Sequence, residues 1–352
     1  MLRSMIYAFP GLPRWLLITS LLISPVTRLA AAPADPAALA ATSNAVAAAS
    51  AFIATLSEAQ RGAGLFAFTD DVQRKKWSNL PTPMFQRSGL RLGDLNAPQR
   101  AAALKVLAAV LSPAGYEKTL RIVEGDEALK KSSGRSGGPS FGRDEYFIAF
   151  LGQPSATGPW TLQFGGHHLA LNVTIQGALG VMTPSHTAAQ PATYTVDGRT
   201  VRPLAGEYDK GFAVLNSLDA AQKTSAIIGS RMADLVLGPG QDGRMIQPEG
   251  VKGSALSPTQ RGLLLDLIEE WAGMIHAAAA RQKMAEIKGN LESTYFAWSG
   301  PTEPGSAAYY RIQGPTVFIE FAPQNLGGVP TNHIHTIYRD PTNDYGRKPA
   351  AK

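Results

Sequence analysis

Cysteine is absent from all 352 residues. That excludes disulfides, thiolate-ligated zinc, iron–sulfur clusters and a cysteine nucleophile. A chain of this length can bury a core large enough to stand without disulfides. Charge is also scarce: Asp, Glu, Lys and Arg make up 17% of the chain, and the formal charge is only +6. Arg3, Arg14 and Arg28 supply part of that excess, in a leader without Asp or Glu. The one basic cluster, Lys130-Lys131-Ser132-Ser133-Gly134-Arg135, is short and reads as a loop, and arginines are not interleaved with aromatics. No nucleic-acid partner is expected on those grounds. The Gly-rich stretch from Ser132 to Ser140 lacks the Lys-Ser/Thr and the strand-to-helix setting of a phosphate loop, and no His-Glu-x-x-His helix occurs. An ordinary hydrophobic content of 44% argues against disorder.

What the N-terminus does have is the three-part layout of an export signal. Arg3 and Arg14 precede the apolar run Trp15 to Ile23, and Ala30-Ala31-Ala32 follow. The run is too short to span a bilayer, which takes about 20 apolar residues. Residues 1–31 are therefore expected to be a cleaved signal peptide and the protein to be periplasmic or secreted. No lipid-anchoring cysteine follows, and no later segment reads as membrane-spanning. No stable membrane insertion is expected after cleavage.

Residues 32–60 are Ala-rich and predict a helical segment, since alanine is the best helix former. Residues 61–346 predict one α+β domain, with 347–352 as a tail. Asn96 with Gln99, Asp219 with Gln222, and Ser257 with Gln260 have the spacing of capping boxes. They are read as three separate helix starts, not as a repeat. Leu263, Leu264, Leu267, Ile268 and Trp271 recur at helical spacing, and His276 sits beyond them as a packed or surface residue. Helices are expected in the first third and from about Tyr208 to Ile287. Strands are expected at Tyr146–Phe150, Trp160–Phe164, His168–Ile175, Tyr309–Ile312, Val317–Phe321 and His333–Tyr338, with a hairpin turning at Asp197-Gly198. Segregated runs argue for a single, mainly antiparallel sheet packed against several helices.

Four of the six histidines fall in two motifs, His167-His168 and His333/His335. Alternation along a strand puts His333 and His335 on one face about 7 Å apart, a spacing that suits one metal ion. If His168 comes from a neighbouring strand, the three imidazoles make a site for zinc, copper or iron with a position left open. Glu320 interrupts an apolar run and is the candidate general base or partner orienting an imidazole. Arg339, Asn172 and His167 are the candidate substrate contacts; Arg339 has the fork geometry for a carboxylate or phosphate. The other readings are a solvated His-x-His edge and a plain hydrogen-bonded turn.

The segments Gly165-Gly166-His167-His168-Leu169-Ala170-Leu171-Asn172, Tyr309 to Pro315, Ile319-Glu320-Phe321 and His333 to Pro341 resemble the family catalogued as domain of unknown function 3500. The resemblance runs from about Arg61 to Gly346 and implies one full-length domain. It brings no established activity. The sequence thus supports two readings. One is an exported metal-dependent enzyme, hydrolase or oxidoreductase. The other is a periplasmic binding or accessory module that holds a small polar ligand without metal.

Overall fold

A computed structural model describes residues 35–133, 138–230, 234–325 and 328–348. The expected leader lies outside these residues, as do Gly134 and Arg135. Lys130 and Lys131 are not loop residues but belong to the last turn of a helix, where cations suit the carbonyl end.

The chain is α+β and follows one plan twice. The first pass runs α1 (Pro36–Ala54), α2 (Glu58–Gly64), β1 (Leu65–Phe66), α3 (Asp71–Arg74), β2 (Leu90–Arg91), α4 (Ala97–Val110), α5 (Pro113–Ser133), β3 (Phe147–Leu151), β4 (Trp160–Gly166), β5 (Leu169–Gln176) and β6 (Leu179–Ala189). A small hairpin, β7 (Tyr194–Val196) and β8 (Arg199–Val201), follows. Its turn has positive φ at both Asp197 and Gly198, as that dipeptide favours. The second pass runs α6 (Ala205–Ser217), α7 (Ala220–Ala226), β9 (Ile227–Gly229), β10 (Val251–Lys252), α8 (Pro258–Ala272), α9 (Ala277–Gly289), β11 (Tyr295–Ser299), β12 (Tyr309–Gly314), β13 (Val317–Pro323) and β14 (Ile334–Arg339). Among the described residues, 227–230 and 234–257 are therefore short strands, loop and one 3-10 turn, where helix was expected.

The two passes share the bonds that open them and the pairings that close them. All three expected capping boxes form, and Ser57 with Gln60 makes a fourth. They work in pairs: Gln60 and Gln99 exchange amide hydrogen bonds, as do Gln222 and Gln260. Gln99 also donates to the Thr55 carbonyl, and Gln260 to that of Ser217. β1 lies parallel to β3 and β9 parallel to β11, while β2 and β10 run antiparallel to those same strands. Gly89 (φ 108°) and Gly250 (φ 104°) enter β2 and β10 in the left-handed region. A Cβ would stand 2.7 Å from the Ile148 carbonyl oxygen in the first and 2.2 Å from that of Phe296 in the second. The boxes are thus marks of an internal duplication, contrary to the reading as unrelated helix starts.

The halves join along β6 and β14, which pair antiparallel in the middle of a twelve-stranded sheet. Leu171 pairs with Ser185 and Ile319 with Tyr338, while Ser185 and Tyr338 pair with each other. By register, a pseudo-twofold axis passes through that rung.

One sheet face carries the helices. Tyr310 and Phe321 stack there 4.9 Å apart, Phe212 of α6 meets Trp298, and Trp271 of α8 hydrogen-bonds Thr336. α1 lays Ala38, Thr42, Ala45, Ala49 and Phe52 into the same core. By length and composition α1 is nonetheless apolar enough to cross a membrane, which the sequence reading had not expected. The opposite sheet face presents His186, Glu320, His335, Ile337 and Arg339 and is covered by connecting segments, among them the single-turn α3.

Candidate metal centre

The first two-residue turn of interest joins β4 to β5. Gly166 pairs with Leu169, so His167 and His168 form the turn itself. His168 is therefore a turn residue and not the first residue of a strand. A side chain at Gly166 would run into the Tyr146 ring at 2.7 Å, which explains the glycine before the pair. His168 has φ 63°, a left-handed conformation that costs a non-glycine residue roughly 1–2 kcal/mol. Its backbone is pinned on both sides: its N–H donates to the Asn79 carbonyl, and its carbonyl accepts from the Ala188 N–H of β6. Strain of this kind, held by its surroundings, clusters at functional sites.

From there His168 meets His333 and His335, more than 160 positions away. The Nε2 atom of His333 lies 3.0 Å from Nε2 of His168 and 3.0 Å from Nε2 of His335. All three nitrogens fall within 4.8 Å of one another, and all three residues are buried. An imidazole nitrogen carries one proton or one in-plane lone pair. His333 Nε2 can therefore make at most one good N–H···N bond, and its other close contact sets like against like. A cation between the three removes the conflict. Imidazole nitrogens on tetrahedral zinc stand about 3.3 Å apart, from Zn–N lengths of 2.0–2.1 Å. Two of the three separations open by about 0.3 Å to hold such an ion, and the third, within 4.8 Å, comes to the same value by a turn of the rings. Three imidazoles without a carboxylate suit zinc, copper or iron over magnesium or calcium.

Around the triad stand two groups the sequence reading did not bring to it. Asp126 of α5 holds Nδ1 of His167 at 2.6 Å, and the His167 ring stacks on that of His168 at 3.6 Å. Tyr146 donates its hydroxyl to the His167 carbonyl. His167 is thus a brace behind a ligand and is itself buried. His186 of β6 lies 5.4 Å from His335, ring to ring, and is fully buried. Neither of its nitrogens has a well-aligned hydrogen-bond partner; the Thr336 backbone only slightly favours its charged form.

The remaining expected site residues are placed elsewhere. Glu320 faces Ile337 across the ladder, on the same face as His335. Its two oxygens accept from the Val236 and Leu237 N–H groups at 2.8 Å and from the Tyr309 hydroxyl at 2.7 Å. Burial pushes its carboxyl upward, and these donors oppose that shift. It anchors the 236–237 segment to the sheet and has no contact with the triad. Arg339 donates to the Leu237 and Gly238 carbonyls and to Asp242 and Asp344, so its fork is already filled. Asn172 donates to the Pro184 carbonyl and accepts from Gln163. His276 caps α9.

Burial, and secondarily the neighbouring imidazoles, holds His168 and His335 well below the usual histidine range, and His186 is pushed down to about 3. The unfolded chain takes up these protons near pH 6.5, the metal-free folded chain only at far lower pH. Stability is therefore complete above pH 6.5 and falls as the pH drops below it, by about 1.4 kcal/mol per pH unit per imidazole until the folded value is reached. Urea unfolding of chelator-treated protein between pH 7.5 and 5 checks this. A flat profile would mean that the rings are protonated in the fold.

No curated protein and no solved structure matches the chain. A family model does, over residues 39–347, which takes in both histidine motifs, Asp126 and His186. The chain belongs to that family, described as protein of unknown function (DUF3500).

Proposed function

We propose that this is an exported metalloprotein that holds one divalent ion of the zinc, copper or iron kind on Nε2 of His168, His333 and His335 and uses it as a reaction centre. The observation that carries the reading is the convergence of three buried imidazole nitrogens at 3.0 Å, an arrangement that protons alone cannot satisfy. Three protein ligands are the number found in catalytic zinc sites, against four in structural ones. Such an ion supplies Lewis acidity or, for copper and iron, a redox couple.

The chain's own groups orient and enclose. Asp126 fixes the ring of His167, and that ring backs the ring of His168. The Asn79 carbonyl and the Ala188 N–H hold the strained turn in place. Each of the three ligands is less than a tenth exposed, so only a small reactant reaches the centre. Glu320 and Arg339 take no part in this proposal, because their polar atoms are already engaged.

Elemental analysis of protein purified without a metal-binding tag tests the reading. One equivalent of zinc, copper or iron is expected, with loss of the ion in His335→Ala. Metal-free protein that takes up none of the three ions would overturn it and leave the binding-module reading.

A further inference from the structure

The three ligand nitrogens are unevenly spaced. His333 Nε2 lies 3.0 Å from each of the other two. The gap between His168 and His335 is the widest, within 4.8 Å, and those rings stand 5.3 Å apart against 4.8 and 4.7 Å for the other pairs. Tetrahedral zinc asks for three equal separations of about 3.3 Å. A T, with His333 as its stem and His168 and His335 as its crossbar, asks for two of about 2.8 Å and one of about 4.0 Å, at a metal–nitrogen length of about 2.0 Å. The T needs the smaller movements. It forms three corners of the square plane that Cu(II) prefers, and three-coordinate Cu(I) accepts the same shape.

Charge bears on the oxidation state. All three ligands are imidazoles that bind as neutral rings, and each is less than a tenth exposed. A fourth buried ring, His186, packs beside His335. Asp126, behind His167, is already engaged by Nδ1 of that ring and by the Gly142 N–H. Arg87 donates to the carbonyls of Ser78, Leu80 and Gly166, the last at the root of the His167-His168 turn, and makes no ion pair among the described residues. Its charge helps to hold His186 neutral. The ligands therefore bring no negative charge, and a fixed positive charge stands nearby. The cost of burying an ion rises with the square of its charge, so at equal size a doubly charged ion costs about four times as much as a singly charged one.

We infer that the ion is copper and that the site favours its cuprous state over Cu(II) and over zinc. The inference rests on the proposed metal centre and narrows it to copper, whose divalent state is the oxidised member of the couple. Of hydrolase and oxidoreductase it selects the second, because a singly charged ion polarises water weakly.

Chelator-stripped full-length protein is titrated with Cu(I) under argon against bathocuproine disulfonate, and with Zn(II) against pyridylazoresorcinol. One equivalent of Cu(I) is expected to bind at least about a hundredfold more tightly than Zn(II), since burying a further charge costs several kcal/mol. The Cu(I) protein is expected to give no electron paramagnetic resonance signal until ferricyanide takes one electron from each copper, and a tetragonal Cu(II) signal thereafter. His186→Glu, which sets a carboxylate beside His335, is expected to narrow the preference about tenfold. Zn(II) held as tightly as Cu(I), or a preference unmoved in folded His186→Glu, would overturn the inference and leave the metal centre standing. Binding of neither ion would overturn both. Should His186→Glu not fold, the two constants of the unaltered protein still decide.

Discussion

Under the proposed function, removing the ion with a chelator is expected to lower the melting temperature by about 10 °C. The figure follows from linkage. An ion present at a thousand times its dissociation constant stabilises the folded state by about 4 kcal/mol, and a kcal/mol moves the melting point of a domain this large by roughly 2–4 °C. The triad makes the effect large because the metal-free state retains a conflict among buried nitrogens, with His333 Nε2 at 3.0 Å from both neighbours. Alanine at His333 should therefore abolish the ion-dependent shift entirely, and the variant should melt at the same temperature with and without chelator. Differential scanning calorimetry reads both numbers. A wild-type protein indifferent to chelation, or a His333→Ala variant that still responds to it, would remove the centre from this fold.

Alanine at Gly250 should cost about 3 kcal/mol of folding stability. Two penalties combine there: roughly 1–2 kcal/mol for an L-residue in the left-handed region, and the backbone shift forced by overpacking. The added Cβ would lie 2.2 Å from the Phe296 carbonyl oxygen, an atom fixed in β11 that cannot rotate away. Gly89 occupies the matching position, with 2.7 Å to the Ile148 oxygen, so Gly89→Ala should also destabilise, but by less. The ordering of the two variants, measured by denaturant unfolding, tests the equivalence of the halves as well as the clash. A neutral Gly250→Ala would show that β10 does not enter the sheet as described.

The triad was legible because histidines two apart in a strand and a Gly-Gly-His-His turn are dense local signals. His186 was not. The stretch Leu179 to Ala189 contains Gly180 and Pro184 and does not alternate, so nothing marked it as the central strand that carries an imidazole to the site. Asp126 was hidden for another reason: it projects from mid-helix, 41 positions before its partner. Glu320 misled because a carboxylate in an apolar run looks catalytic. Its true partners are backbone N–H groups 83 and 84 positions away, and backbone donors leave no trace in a sequence. In sequence the duplication shows as the capping boxes, whose side chains have fixed bonding duties, and as the paired Gly89 and Gly250.

β6 and β14 are inner strands of the whole sheet but the outermost strands of their own halves. Cut within residues 190–204, either half would present a bare ladder of unpaired amides and carbonyls, an invitation to stick to copies of itself. Each copy thus serves as the other's cover. Neither can be discarded, since the first half brings His168 to the centre and the second brings His333 and His335.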